Sequence, residues 1–273
     1  MTRAFAPGHV TAFFSAVPDD DPLEAGSRGA GFTVEDGVTV DVEPAKHTVI
    51  WSEGRRVDLA PVERVLDMMD VEARVEVSST VPVGCGFGAS GAATLATALA
   101  ANVEFSLGLD RDQAVAAAHV AEVEAGTGLG DVVPQSIGGV VTRVEPGAPE
   151  LGLFGSVEHG SPAVEYTAYG SLDTASVLGD DDRMDAVDRA GESALDGLLK
   201  DPGFERMADV SWEFALESGL PTKRVVDAVG EARSAGGKAS MAMLGETAWA
   251  VGVDGVFEKR TRVSDGGARV IER

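Results

Sequence analysis

The sequence predicts an α+β protein, and three observations carry that expectation. Stretches that alternate apolar and polar residues are mixed with stretches of 3.6-type apolar spacing, without the regular strand-helix alternation of a doubly wound sheet. A chain of 273 residues, 44% of them hydrophobic, can bury a core of one large domain or two ordinary ones. A glycine-rich run, Val81 to Ala93, separates an alternating segment from an alanine-rich one, so its glycines mark a strand-to-helix turn.

Taken in order, Thr2 to Phe14 reads as a strand broken at Pro7-Gly8, followed by an acidic loop to Glu24 and a glycine cluster, Gly26 to Gly31. Phe32 to Val42 alternates around Asp36-Gly37, a hairpin signal, and His47 to Trp51 reads as a short strand. Pro61 to Met69 predicts a helix with Val62, Val65, Leu66 and Met69 on one face and a proline suited to its first turn. Val71 to Ser78 alternates as a half-buried strand. Ser90 to Val103 is small and apolar almost all round, which predicts a helix buried on several sides. Asp110 with Gln113 forms a capping box for a helix through Ala125. After a strand at Gly138 to Val141, the Gly- and Pro-rich stretch from Glu145 to Pro162 suggests a boundary, dividing the chain into domains 1–155 and 156–273. The second half reads as a strand (Ala163 to Ser171), helices near Asp182 to Leu199, Phe204 to Ser218 and Thr222 to Ser234, and a glycine-flanked segment, Gly236 to Gly245, leading into a strand through Val253.

Charge excludes several partners. With 45 acidic residues against 22 basic ones, the formal net charge of -23 disfavours nucleic acid and anionic lipid alike. Acids are both dispersed and clustered, as in Asp19-Asp20-Asp21 and Asp180-Asp181-Asp182, and lysine is scarce, a pattern expected of proteins that work in molar salt, where the Debye length is roughly 3 Å. The lone Cys85 excludes an internal disulfide, no run reaches the roughly 18 residues of a membrane span, and no leader opens the sequence. A soluble cytoplasmic enzyme acting on a small molecule is the expectation; a homodimer is allowed, though no residue demands it.

The glycine turn has specific chemistry. Backbone N–H groups at a helix start lack partners and lie at the positive end of its dipole, and Gly84, Gly86 and Gly88 would let a phosphate approach the backbone closely. Gly86-x-Gly88-x-x-Gly91 also matches the dinucleotide fingerprint formally, but the second strand that should end near Glu104 is missing. A Walker-type loop is excluded because no lysine occurs between Lys46 and Lys200. Without that lysine, phosphate charge must be compensated by a divalent cation such as Mg²⁺, held by hydroxyl and carboxylate. Ser90 offers the hydroxyl, unless it merely caps the helix, and Glu122 and Glu124 are the nearest carboxylates; the helical wheel does not separate them.

Pro82-x-Gly84-x-Gly86-Phe87-Gly88-Ala89-Ser90-Gly91-Ala92-Ala93 resembles the phosphate loop of the GHMP kinases, Pro-x-x-x-Gly-Leu-Gly-Ser-Ser-Ala-Ala. Ala6-Pro7-Gly8 is similar to their first motif, and Gly237 to Leu244 stands in the place of their third. The fold this resemblance implies is an N-terminal ribosomal-protein-S5-like domain that binds ATP and a C-terminal ferredoxin-like α/β sandwich. Phe5 to Phe14, Asp21-Pro22-Leu23, Gly26 to Gly31 and Ala239 to Gly245 further resemble the archaeal branch that phosphorylates pantoate for coenzyme A synthesis. The near alternatives are a GHMP kinase for homoserine or mevalonate and a non-catalytic nucleotide-binding protein.

Carried onto this chain, the resemblance assigns Pro82, Gly84, Gly86, Gly88, Ala89, Ser90 and Gly91 to ATP, and Ser90 with Glu122 to Mg²⁺, the latter through Ala118-His119-x-x-Glu122. It assigns Asp131 as base or positioner of the acceptor hydroxyl, the bland alternative being a helix cap. His9 stands where many relatives have lysine or glutamate, and would orient Asp131 or bind the acceptor. Ala89 replaces one loop serine. For the acceptor's carboxylate, Arg28 is the favoured cation, with Ser27, His9 and Ser240 as further contacts.

Overall fold

Two long strands run through the computed structural model, which describes residues 1–171 and 181–273. β1 (Thr2–Val17) and β2 (Gly26–Pro44) pair antiparallel along their whole length. Around them stands an eight-stranded sheet completed by β3 (Val49–Ser52), β4 (Arg55–Val57), β5 (Ala73–Ser79), β6 (Val140–Glu145), β7 (Leu153–Val157) and β12 (Arg269–Glu272). Its order is β12-β1-β2-β5-β3-β4, with β6 on the other stretch of β2 and β7 beyond it. A four-stranded sheet, β11-β8-β10-β9, is built from β8 (Ala163–Ser171), β9 (Lys238–Ala242), β10 (Gly245–Val251) and β11 (Lys259–Arg262). The chain passes from one sheet to the other between Val157 and Ala163, and β12 returns to the first.

Two sequence expectations fail in the long strands. Pro7-Gly8 does not break β1, and Asp36-Gly37 is not a hairpin; both strands continue, with a register shift between Pro7 and Gly8. The irregularity accommodates a residue without an N–H inside a sheet. Gly37 is needed opposite it, because a Cβ there would collide with the Ala6 carbonyl. The cluster Gly26 to Gly31 forms the first part of β2. β7, β11 and β12 carry no clear alternation and were not expected. Gly236 to Gly245 resolves into β9 and a tight turn at Met243-Leu244, with Leu244 at φ 62.

Among the described residues, six helices occur where the spacing predicts them: α1 (Ala60–Met68), α2 (Ala89–Glu104), α3 (Arg111–Ala125), α5 (Asp181–Lys200), α6 (Phe204–Ser218) and α7 (Lys223–Ser234); a short α4 (Val132–Ile137) is present without a matching sequence expectation. Asp180 of the second acidic cluster lies outside the described residues. The capping box at Asp110 and Gln113 is present, and Gly126 ends α3 in the left-handed conformation. α2 is buried on most sides against β1, β2 and α3, and its Thr97 returns its hydroxyl to the Ala93 carbonyl at 2.7 Å.

The two sheets share one core. Phe32 of β2 meets Trp249 of β10 edge-on at 5.0 Å and Phe204 of α6 at 5.4 Å. Phe13 and Phe14 of β1 pack against Phe214 of α6. Backbone bonding joins Met243 to the Thr11 carbonyl at 3.1 Å, so the β9-β10 turn is fixed against β1. No helix among the described residues is long and apolar enough to cross a membrane.

Candidate active site

The turn between β5 and α2 opens onto a cleft of about 430 Å³. Gly84, Gly86 and Gly88 all have positive φ, at 75°, 84° and 59°. Only glycine adopts such values without strain, and their alternation gathers backbone N–H groups into an anion-binding concavity. Gly88 is also the N-cap of α2 and supplies no side chain to the first-turn N–H groups, leaving them open to an anion. The β9-β10 turn backs the loop: a Cβ on Gly245 would strike the Cys85 carbonyl, and Thr247 donates to that oxygen at 2.8 Å. Cys85 is buried and fills space there; burial pushes its thiol pKa up, away from nucleophilic behaviour.

Packing of α2 on α3 brings Ser90 to Glu122. The Ser90 hydroxyl donates to Glu122 Oε1 at 2.8 Å, as does Thr94 at 2.7 Å, while Thr127 donates to Oε2 at 2.9 Å. Ser90 therefore does not cap α2. Glu122 is 3% exposed, and burial raises its carboxyl pKa despite the three hydroxyls that favour the charged form. Glu124 faces away and pairs with Arg64 of α1. A buried carboxylate beside a serine hydroxyl at a phosphate turn fits Mg²⁺, which takes one or two protein oxygens and completes its shell from phosphate and water.

Asp131 closes the other side. It precedes α4 but does not cap it; its Oδ1 accepts from His9 Nδ1 at 2.7 Å and from Thr11 at 3.2 Å. A Cβ on Gly88 would lie 3.1 Å from the Asp131 carboxyl carbon, so the carboxylate sits against the phosphate turn itself. Burial would raise the Asp131 pKa, but the His9 hydrogen bond, Arg143 and Thr11 outweigh it and hold the group below its ordinary range. His9 is depressed by burial, with Arg143 adding to the effect, so a neutral imidazole donates to an ionised Asp131. Gly88→Ala is expected to lower activity by at least about 10²-fold, since it combines a strained backbone with displacement of Asp131, and steady-state assays of the folded variant measure it.

The acceptor side differs from expectation. Ser27 lines the cleft, but its neighbour Arg28 points to the opposite face of β2, where it donates to the Val144 carbonyl at 2.9 Å and pairs with Glu192. Ser240 is buried against Ser211 at 2.7 Å and does not reach the cleft. The cation in the cleft is Arg143 of β6, 2% exposed, with Nε 3.3 Å from the Ser27 carbonyl. Its Nη1 is buried without a partner, and no carboxylate among the described residues lies within ion-pair distance. Burial lowers its pKa to about 10, opposed by Asp131, so it remains charged at neutral pH. The only sequence signal for it was an arginine inside an apolar strand. Of the loop residues, Gly84, Gly86, Gly88, Ala89 and Ser90 line the cleft, and Pro82 and Gly91 flank it.

Comparison with known proteins agrees with this geometry. Residues 60–139 match the family model for the GHMP kinases N terminal domain. The chain is 32% identical over 252 residues to a pantoate kinase of Methanocaldococcus jannaschii, covering 90% of this chain and 91% of that one. It is 34% identical over 273 residues to a pantoate kinase of Thermococcus kodakarensis, covering 95% and 90%. A solved structure described as a phosphotransferase related to the CoA biosynthesis pathway superposes with a TM-score of 0.89 at 30% identity, covering 99% of this chain and 98% of that one. The chain belongs to the pantoate kinase family of the GHMP kinases.

Proposed function

We propose that this cleft transfers the terminal phosphoryl group of ATP to the primary hydroxyl of pantoate, giving 4-phosphopantoate for coenzyme A biosynthesis. The observation that carries the reading is the Asp131 carboxylate, seated against the phosphate turn, with a buried cation, Arg143, against the neighbouring Gly130 in the same cleft. Loop amides at Gly84 to Ser90 would receive the ATP phosphates, and Ser90 and Glu122 would hold Mg²⁺, which would neutralise phosphate charge. Asp131 Oδ2, which has no donor among the described residues, accepts the hydroxyl proton as the oxygen attacks phosphorus and ADP leaves. Catalysis here is chiefly positioning and charge compensation, with residues 1–155 supplying most of the nucleotide side and residues 156–273 the β9-β10 wall.

Arg143 also speaks to the acceptor. Its unpartnered Nη1 suits a carboxylate, and Phe14, Leu129, Met243 and Leu244 make the neighbouring wall apolar, matching the dimethyl carbon of pantoate. Homoserine would need a carboxylate for its ammonium, and Asp131 is the only one lining the cleft among the described residues. An ADP-release assay over pantoate, homoserine and mevalonate separates these, and a non-catalytic nucleotide binder would turn over none. Arg143→Gln is expected to raise the pantoate KM about 10- to 100-fold, from loss of a charge-assisted hydrogen bond, with the ATP KM little changed. Arg28→Ala should leave both KM values near wild type.

A further inference from the structure

We propose that His9 and Thr11 are positioning residues that grip the Asp131 carboxylate by one oxygen, Oδ1, and thereby aim Oδ2 at the acceptor hydroxyl. The inference rests on the phosphoryl-transfer reading above and concerns how that carboxylate is held.

Both donors converge on a single atom. His9 Nδ1 lies 2.7 Å and Thr11 Oγ1 3.2 Å from Asp131 Oδ1, whereas Oδ2 receives no bond among the described residues. The Asp131 side chain is 28% exposed while the His9 side chain is 0% exposed, so His9 holds the carboxylate from the protein side, and Thr11 reaches the same oxygen from the cleft wall. An ionised carboxylate only accepts, so the imidazole proton resides on Nδ1.

The other ring nitrogen shows that His9 is not retained for packing alone. Nε2 is buried without a hydrogen-bond partner among the described residues. Buried polar atoms are nearly always paired, and an apolar residue of similar shape would avoid that cost. What an apolar residue cannot supply is the Nδ1–H that Asp131 accepts.

The ring is also held firmly. It lies over Gly31 of β2, where any Cβ would collide with Nε2 and with the Val10 carbonyl. The His9 backbone N–H donates to the Phe87 carbonyl at 2.9 Å, tying the same residue to the phosphate turn. One β1 segment thus sets both the turn that receives phosphate and the carboxylate that faces the acceptor. A neutral donor fixes orientation while leaving the negative charge on Asp131, which a lysine at this position would partly cancel.

The test compares His9→Asn, whose amide nitrogen stands near the Nδ1 position, with His9→Gln, whose amide extends toward Nε2. Steady-state kinetics with ATP, Mg²⁺ and pantoate should show His9→Gln losing about 10²-fold in kcat with both KM values nearly unchanged, as expected of a misplaced catalytic group. His9→Asn should recover most of that loss. In an Asp131→Asn background, His9→Gln should cost little more, since the two act as a unit. Equal losses in His9→Asn and His9→Gln, or wild-type kcat in His9→Gln, would overturn the proposal. Should His9→Gln fail to fold, Thr11→Val takes its place: a lowered kcat with unchanged KM supports the grip on Oδ1, and wild-type kcat contradicts it. Wild-type enzyme that forms no ADP with pantoate would instead overturn the functional reading, a separate result.

Discussion

Asp131→Asn is expected to lower kcat by about 10²- to 10⁴-fold, the range by which a positioned general base accelerates a reaction. The substitution keeps an oxygen for His9 and Thr11 to donate to, so the local fold survives. What faces the cleft is then an amide, which cannot take a proton from the attacking hydroxyl. Both KM values should move far less than kcat, because the lost interaction belongs to the transition state. An Asp131→Asn variant with wild-type turnover would remove Asp131 from the chemistry.

Glu122→Gln should reduce kcat/KM for magnesium-ATP by about 10²- to 10³-fold, as when a charge-stabilising group is removed from a phosphoryl-transfer site. It should also raise the Mg²⁺ concentration needed for half-maximal rate. Stability should move the other way. Burial raises the Glu122 pKa above its unfolded value, so its contribution is fully favourable below the unfolded pKa and is lost as pH rises through the folded one. Above that raised pKa and without metal, the ionised carboxylate is a net cost, and Glu122→Gln should then melt at or above the wild-type temperature. That difference should shrink as pH falls and wild-type Glu122 takes up its proton. A thermal unfolding series from pH 7 downward measures this, and a variant that is less stable at pH 7 but equal at low pH would contradict the sign.

The nucleotide side of this site was legible in sequence because its determinants are local. Alternating glycines before an alanine-rich helix specify a left-handed turn at a helix start, and the i to i+3 capping box at Asp110 placed α3. Choosing Glu122 over Glu124 needed more, since adjacent wheel positions differ only in what packs beside them. Arg64 of α1 takes Glu124, while Ser90 and Thr94 of α2 take Glu122. The acceptor side was less legible because strand register decides it. Ser27 and Arg28 are neighbours in β2, yet the period of two sends one into the cleft and the other to Glu192. Arg143 comes into the cleft only because β6 pairs with Gly29 to Phe32 of β2, a contact more than 100 residues apart in sequence. Continuity of β1 and β2 through Pro7-Gly8 and Asp36-Gly37 was hidden for a related reason: two turn-like signals cancel when they face each other across a shared irregularity.

Asp131, the phosphate turn and Arg143 together form the proposed site of pantoate phosphorylation. It is tested most directly by incubating the full chain with ATP, Mg²⁺ and pantoate across a potassium chloride series, following ADP and the phosphorylated product together. The expected result is one ADP formed per 4-phosphopantoate, dependent on pantoate, at a rate that Asp131→Asn lowers about 10²- to 10⁴-fold. No pantoate-dependent ADP at any salt concentration, alongside turnover of homoserine or mevalonate, would contradict it.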